Sequence, residues 1–152
     1  MEEKGHDIKL RIYDLVPGQE KQLLSLLVGM PIEYIYHTSI EVYGKEFWFG
    51  SEIFQSEPGK SGHGVPIEIK NMGQTFVDEE TFLGYAFNDM KHKYDHGKYD
   101  LMHNNCNNFS NDMLMFLVGK GIPQHILELP DLVMKSPGFN VFMNNFIRKN
   151  EK

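Results

Sequence analysis

The sequence predicts an α+β fold, a small antiparallel sheet packed against helices. The first half of the chain is rich in period-two alternation and in β-branched and aromatic runs, with a single helical stretch among them. The second half is rich in apolar residues at helical spacing. A third observation bounds the size. At 152 residues and 41% hydrophobic content, the chain can bury one sizeable core, so residues 1–152 are expected to form a single domain with its core at about 8–147.

Ile8, Leu10 and Ile12 alternate with Lys9, Arg11 and Tyr13, as in a half-buried strand, and Pro17-Gly18 ends the pattern. Residues 19–28 are leucine-rich and read as a helix stopped by Gly29, with Pro31 just beyond. Residues 34–42 and Phe47-Trp48-Phe49 read as a hairpin about a Gly44-Lys45 turn. Residues 55–64 are a loop by composition, either a plain connection or a flap. Val65, Ile67 and Ile69 give another strand, which Pro66 confines to an edge or to its own start.

Asp78-Glu79-Glu80 opens a helix carrying Phe82, Leu83, Ala86, Phe87 and Met90, with Lys91, His92, Lys93 and His96 at its end before Gly97. The next helix starts near Cys106 and carries Phe109, Met113, Phe116 and Leu117, and Gly119, Gly121 and Pro123 stop it. Two short helices follow at 123–134 and 139–147, separated by Ser136-Pro137-Gly138.

The formal net charge is −6, and the 15 Lys and Arg are scattered apart from Arg148-Lys149 and Lys152. Nucleic acid is therefore excluded as a partner, because phosphate binding depends on clustered cations. No apolar run is long enough for stable membrane insertion, and the charged start Met1-Glu2-Glu3-Lys4 carries no hydrophobic signal segment. A single cysteine cannot form an internal disulfide, so the expected setting is reducing: the cytoplasm, and the nucleus with it.

That cysteine is the candidate for chemistry. Cys106 sits at a helix start, where unpaired N–H groups and the helix dipole favour a thiolate and can later hold an oxyanion. Position alone also suits a core thiol, but Asn104, Asn105, Asn107 and Asn108 wrap it in polar groups better suited to a helix cap and a hydrogen-bonded site. A nucleophilic thiol needs a base, and His37, mid-strand, is the histidine most rigidly presented. His103 is the rival, three residues before the thiol but outside the helix; His6, His63, His92, His96 and His125 lie in looser positions.

Asn105, and behind it Asn104, are candidates to support an oxyanion, their alternative role being helix capping. Trp48 is a candidate groove wall, its alternative plain core. A Gly44-Lys45 turn would put Glu46 opposite Tyr43, roughly 20 Å along the ladder from His37, which leaves the site a dyad. No cofactor and no resident metal are expected. A non-enzymatic zinc module is the alternative raised by His92, His96, His103 and Cys106, four zinc-type ligands within fifteen residues.

The stretches 37–51 (His37-Thr38-Ser39-Ile40-Glu41-Val42-Tyr43-Gly44-Lys45-Glu46-Phe47-Trp48-Phe49-Gly50-Ser51) and 105–111 (Asn105-Cys106-Asn107-Asn108-Phe109-Ser110-Asn111) closely resemble the two signature blocks of the PPPDE family, the desumoylating isopeptidases. The likeness runs on through Tyr13-Asp14-Leu15, Gly121-Ile122-Pro123 and Leu129-Pro130, and covers most of residues 8–147. It implies a permuted papain-like cysteine peptidase, with Cys106 as nucleophile and His37 as general base and later acid.

The activity it implies is hydrolysis after the C-terminal glycine of SUMO or ubiquitin on target proteins. Removal of S-acyl groups by the same dyad is the alternative, and homodimers occur in the family. One residue departs from the pattern: close members carry histidine two residues before the cysteine, where this chain has Asn104. An ion-paired thiol in such a site is expected to titrate between about 3.5 and 7.5.

Overall fold

The computed structural model describes residues 4–16, 18–136, 138, 139 and 144. In chain order the elements are β1 (His6–Asp14), α1 (Gln19–Val28), β2 (Tyr36–Val42), β3 (Lys45–Phe49), β4 (Ile53–Ser56), β5 (Glu68–Thr75), α2 (Glu79–Gly84), α3 (Cys106–Val118) and α4 (Gln124–Met134). The strands form one antiparallel sheet in the order β4-β3-β2-β1-β5, the α+β architecture that the sequence predicts.

Alternation gives the sheet two unlike faces. Ile8, Leu10 and Ile12 of β1, Ile40 and Val42 of β2, and Phe47 and Phe49 of β3 pack with Phe82 and with Phe109, Met113 and Leu114 of α3 in one buried cluster. The opposite face carries Arg11, Tyr13, His37, Ser39, Glu41, Glu46 and Trp48. A second apolar cluster joins α1 to α4 through Val16, Leu24, Val28, Ile32, Ile35 and Val133.

The hairpin differs from expectation by one residue. Val42 pairs with Lys45, so the turn is Tyr43-Gly44, with φ of 56° and 71° at the two positions. Both angles are positive, as a type I′ turn requires, and its twist suits flanking strands better than a Gly44-Lys45 turn would. The Tyr43 hydroxyl donates to Val77 O at 2.6 Å and helps hold the tyrosine in this uncommon conformation. The shift sets Glu46 opposite Glu41 instead of Tyr43 and brings its carboxylate closer to His37.

Two strands differ from the sequence reading. β4 takes Gln55 and Ser56 out of the expected loop. β5 begins at Glu68 and runs three residues later than expected, because Pro66 has no N–H to donate and pairing starts with Ile67 N–H on Ile12 O at 2.7 Å. Within β5, Gly73 at φ 95° carries a bulge against Ile8 and Lys9.

The predicted helix from Asp78 is N-capped by that residue, which accepts from Thr81 N at 2.7 Å. It continues beyond Gly84 as a π-helical turn over Tyr85–Asp89. Gly121 follows α3 where a Cβ would collide with Asn111 Oδ1, the atom that takes the Ile122 N–H at 3.0 Å. The helix expected at 139–147 falls largely outside the described residues. Among the described residues no helix is long and apolar enough to cross a membrane.

Phe109 is fully buried between Phe49 and Tyr94, with ring centroids at 6.2 and 5.1 Å. Phe109→Ala is expected to cost about 3–5 kcal/mol, read as a lowered urea midpoint at unchanged slope.

Candidate active site

The N-terminus of α3 is built by asparagines. Asn105 is the N-cap: its Oδ1 accepts from Asn107 N at 2.8 Å and Asn108 N at 3.2 Å, while Asn108 Oδ1 accepts from Asn105 N at 2.9 Å. This reciprocal box satisfies donors that a helix start leaves open. Asn105 Nδ2 also donates to Leu101 O at 2.9 Å. Asn104 ties down the preceding segment, with Nδ2 on Lys93 O at 2.7 Å and Lys98 O at 3.0 Å.

Asn107 joins the helix to the sheet. Its Nδ2 donates to Tyr36 O at 3.1 Å, and its Oδ1 accepts from Thr38 Oγ1 at 2.8 Å, so one carboxamide grips the strand on both sides of His37. Cys106 is thereby set against β2. Near its sulfur are the Thr38 N–H, its own N–H, that of Asn107 and the Tyr99 hydroxyl, all of which favour a thiolate. The thiol in turn donates to Asn107 Oδ1 at 3.8 Å.

These donors favour a thiolate, but burial outweighs them. Cys106 is 3% exposed and its pKa is pushed up to about 11. The expected range of about 3.5–7.5 therefore does not hold for this closed site, since removing the sulfur from water penalises its charged form more than the donors stabilise it. His37 is also 3% exposed, and burial, together with the neighbouring His63, lowers its pKa well below 6.5. At neutral pH the resting pair is an uncharged thiol and an uncharged imidazole.

The imidazole lies on the sheet face away from α3. It is opposite Tyr13, with ring centroids 5.7 Å apart, and stacks on His63 at 3.8 Å and 21°. No hydrogen bond joins it to the thiol, and its Nε2 is buried without a partner. Sulfur and imidazole are nonetheless neighbours through one peptide group. Catalytic hydrogen bonds are often long or misaligned before substrate arrives.

Around His37 is a network that the sequence did not reveal. Glu46 is fully buried: Oε2 accepts from the Tyr13 hydroxyl at 2.8 Å and Ser39 Oγ at 2.5 Å, and Oε1 accepts from Gly59 N at 2.9 Å, with Arg11 Nε at 3.6 Å. Trp48 is on this face, against Phe54 and edge-on to His63 at 5.4 Å. Tyr99 was also missed; it lies seven residues before the cysteine, outside any periodic element, where no pattern flags it.

The rival His103 is exposed, with Nδ1 3.4 Å from Asp100 Oδ2, and turns to that carboxylate. The zinc spacing does not converge either, for among the described residues no group of three or more potential ligands is placed to hold a metal. Beside the sulfur lies a cavity of about 40 Å³ lined by Leu15, Ile35, Leu101, Met102, Leu129 and Val133, among others.

A thiol at a helix N-terminus, set against a sheet strand that carries a histidine, is an arrangement that can support cysteine-type hydrolysis. The profile of the PPPDE peptidase domain matches residues 6–147. Desumoylating isopeptidase 1 of Xenopus laevis is 38% identical over 136 residues, 89% of this chain and 80% of that protein. The human protein of the same name is 38% identical over 133 residues, 87% and 79%. A DeSI-like protein of Arabidopsis thaliana is 27% identical over 128 residues, 80% of this chain and 54% of that one. The chain belongs to the PPPDE peptidase family.

Two outcomes are expected. Iodoacetamide should alkylate Cys106 slowly at pH 7 and faster as pH rises toward about 11, and Tyr99→Phe should slow the reaction at any fixed pH below that by removing a donor to the thiolate. Asn107→Ala should cost about 2–4 kcal/mol in urea denaturation by stranding the Thr38 hydroxyl and Tyr36 carbonyl.

Proposed function

We propose that the protein is an isopeptidase that hydrolyses the bond after the C-terminal glycine of a ubiquitin-like modifier, SUMO before ubiquitin, on conjugated target proteins. The observation that carries this reading is the pair of hydrogen bonds from Asn107 to Tyr36 O and Thr38 Oγ1, which seat the Cys106 helix start against the strand on both sides of His37. Relatives named for desumoylation at 38% identity support SUMO.

In this reading His37 takes the Cys106 proton and the thiolate attacks the carbonyl carbon after the glycine. The C–N bond breaks as protonated His37 returns its proton to the leaving lysine amine. Water, deprotonated by His37, then hydrolyses the thioester. The oxyanion falls to the Cys106 N–H at the helix start, helped by the Tyr99 hydroxyl, which is already at the sulfur; Asn105 already spends one of its amide N–H groups on Leu101 O. Asn104 supports the site from behind through the 93–98 segment, and Trp48 walls the groove beside the residue 57–64 loop. With a single cysteine and no disulfide to keep, the reading puts the enzyme in the cytoplasm and nucleus, as a monomer or homodimer.

A second reading, a protein S-acyl thioesterase, has the apolar cavity beside Cys106 in its favour. About 40 Å³ is room for roughly three water molecules, far short of a long acyl chain, so that reaction would need α4 to move away.

Probes of SUMO and ubiquitin with a C-terminal electrophile decide between these. The SUMO probe is expected to label wild type and not Cys106→Ala, and His37→Ala should slow labelling by about 10²–10⁴-fold. Labelling by ubiquitin alone would change the modifier. No labelling by either, with cleavage of an S-acyl peptide intact, would replace the isopeptidase reading with the thioesterase.

A further inference from the structure

A general base must be held in one orientation, and a hydrogen bond from a third residue is the usual means. In this protein nothing supplies that bond at His37 Nε2, which is buried without a partner. Glu46, the only carboxylate buried on this face, is committed to Tyr13, Ser39 and Gly59. Something else must fix the ring.

Packing does so. The His63 ring lies 3.8 Å from that of His37 at 21°, a stacked pair, and its own position is set by Tyr13 at 5.5 Å, Trp48 at 5.4 Å and Ser61 Oγ on Nδ1 at 2.8 Å. His63 belongs to a loop whose Gly59, Gly62 and Gly64 all have positive φ, so the chain can fold back over the sheet there. The loop is fastened by Gly59 N–H on the buried Glu46 carboxylate. A Cβ at Gly59 would come within 3.4 Å of Arg11 Nη2, so the backbone lies close to the sheet at that point.

We propose that His63 is the positioning residue for the general base: it orients the His37 imidazole by ring stacking in place of a third hydrogen-bonding residue, on a loop anchored by Glu46. This rests on the reading of His37 as the base. His63 also sets the charge that His37 can carry. Burial favours the neutral form of His63, opposed by Glu46, and any charge on His63 disfavours a second one on His37. The charged and titratable groups around the pair are Tyr13 and Arg11 from β1 and Glu46 from β3, with Arg11 already paired to Glu41 of β2 at 2.8 Å.

The test compares His63→Ala, His63→Phe and His37→Ala with wild type. One readout is turnover of a SUMO conjugate with aminomethylcoumarin on its terminal glycine; the other is the His37 titration followed by NMR in ¹³C-histidine-labelled protein. His63→Ala should lower kcat roughly tenfold with KM within about twofold, because orientation is lost and binding is not. Its His37 titration, and the acid limb of kcat/KM, should move up toward 6.5 as burial and repulsion are relieved. His63→Phe keeps a stacking ring and should restore kcat to within about threefold of wild type.

An unchanged His37 titration in His63→Ala overturns the inference whether or not the SUMO conjugate is turned over. So does an equal loss of kcat in the Ala and Phe variants. Undiminished turnover in His37→Ala would instead remove the reading on which the inference stands, and is thereby distinguishable.

Discussion

The carboxamide of Asn107 decides where the sulfur lies. A helix packed on a sheet by apolar contacts alone can slide by a fraction of a turn at little cost, and such a slide would carry Cys106 away from His37. Asn107 prevents it by pairing with the Tyr36 carbonyl and the Thr38 hydroxyl at once. These partners are on either side of His37, so the helix start is registered to the strand at that residue. Asn105 and Asn108 complete the arrangement by satisfying the helix's own first donors and leave the Cys106 N–H free of the cap. The asparagine run is therefore structural machinery that serves a reactive atom.

The resting site is electrically quiet. Burial raises the thiol and lowers the imidazole, so proton transfer from one to the other is uphill in the resting site. An exposed reactive thiol meets many electrophiles; a buried neutral one meets few. The fully buried carboxylate on this face is Glu46, which is held by Tyr13, Ser39, the Gly59 amide and nearby Arg11. Without such partners a carboxylate at that depth would be very costly. Loop, sheet and base are thus coupled through one carboxylate.

Sequence patterns revealed those parts of the molecule that repeat. Alternation at Ile8, Leu10 and Ile12 and helical spacing at Phe109, Met113 and Leu117 placed the sheet face and α3 correctly, and the asparagines around Cys106 marked the cap. The residues that escaped are those whose role depends on a fold-back. β5 is at the edge that Pro66 suggests but starts three residues later than its apolar alternation implies, because Pro66 has no N–H to pair. The hairpin was misread by one residue because a tyrosine at positive φ is uncommon. Tyr99 and His63 reach the site from irregular segments, and the thiol's high pKa follows from burial that no local sequence discloses.

Gly121 has a consequence for how this chain can vary. The usual worth of a glycine is conformational freedom, yet this one is required by space: the Asn111 carboxamide occupies the volume that any side chain would need while it receives the Ile122 amide. Positions 111 and 121 are therefore locked together. An alanine at 121 would displace the Asn111 carboxamide and orphan the Ile122 amide at the exit of the helix that begins at Cys106. A substitution at 121 is therefore felt at Asn111 and, through it, at the Ile122 amide, which gives a physical basis for the glycine ahead of Ile122-Pro123.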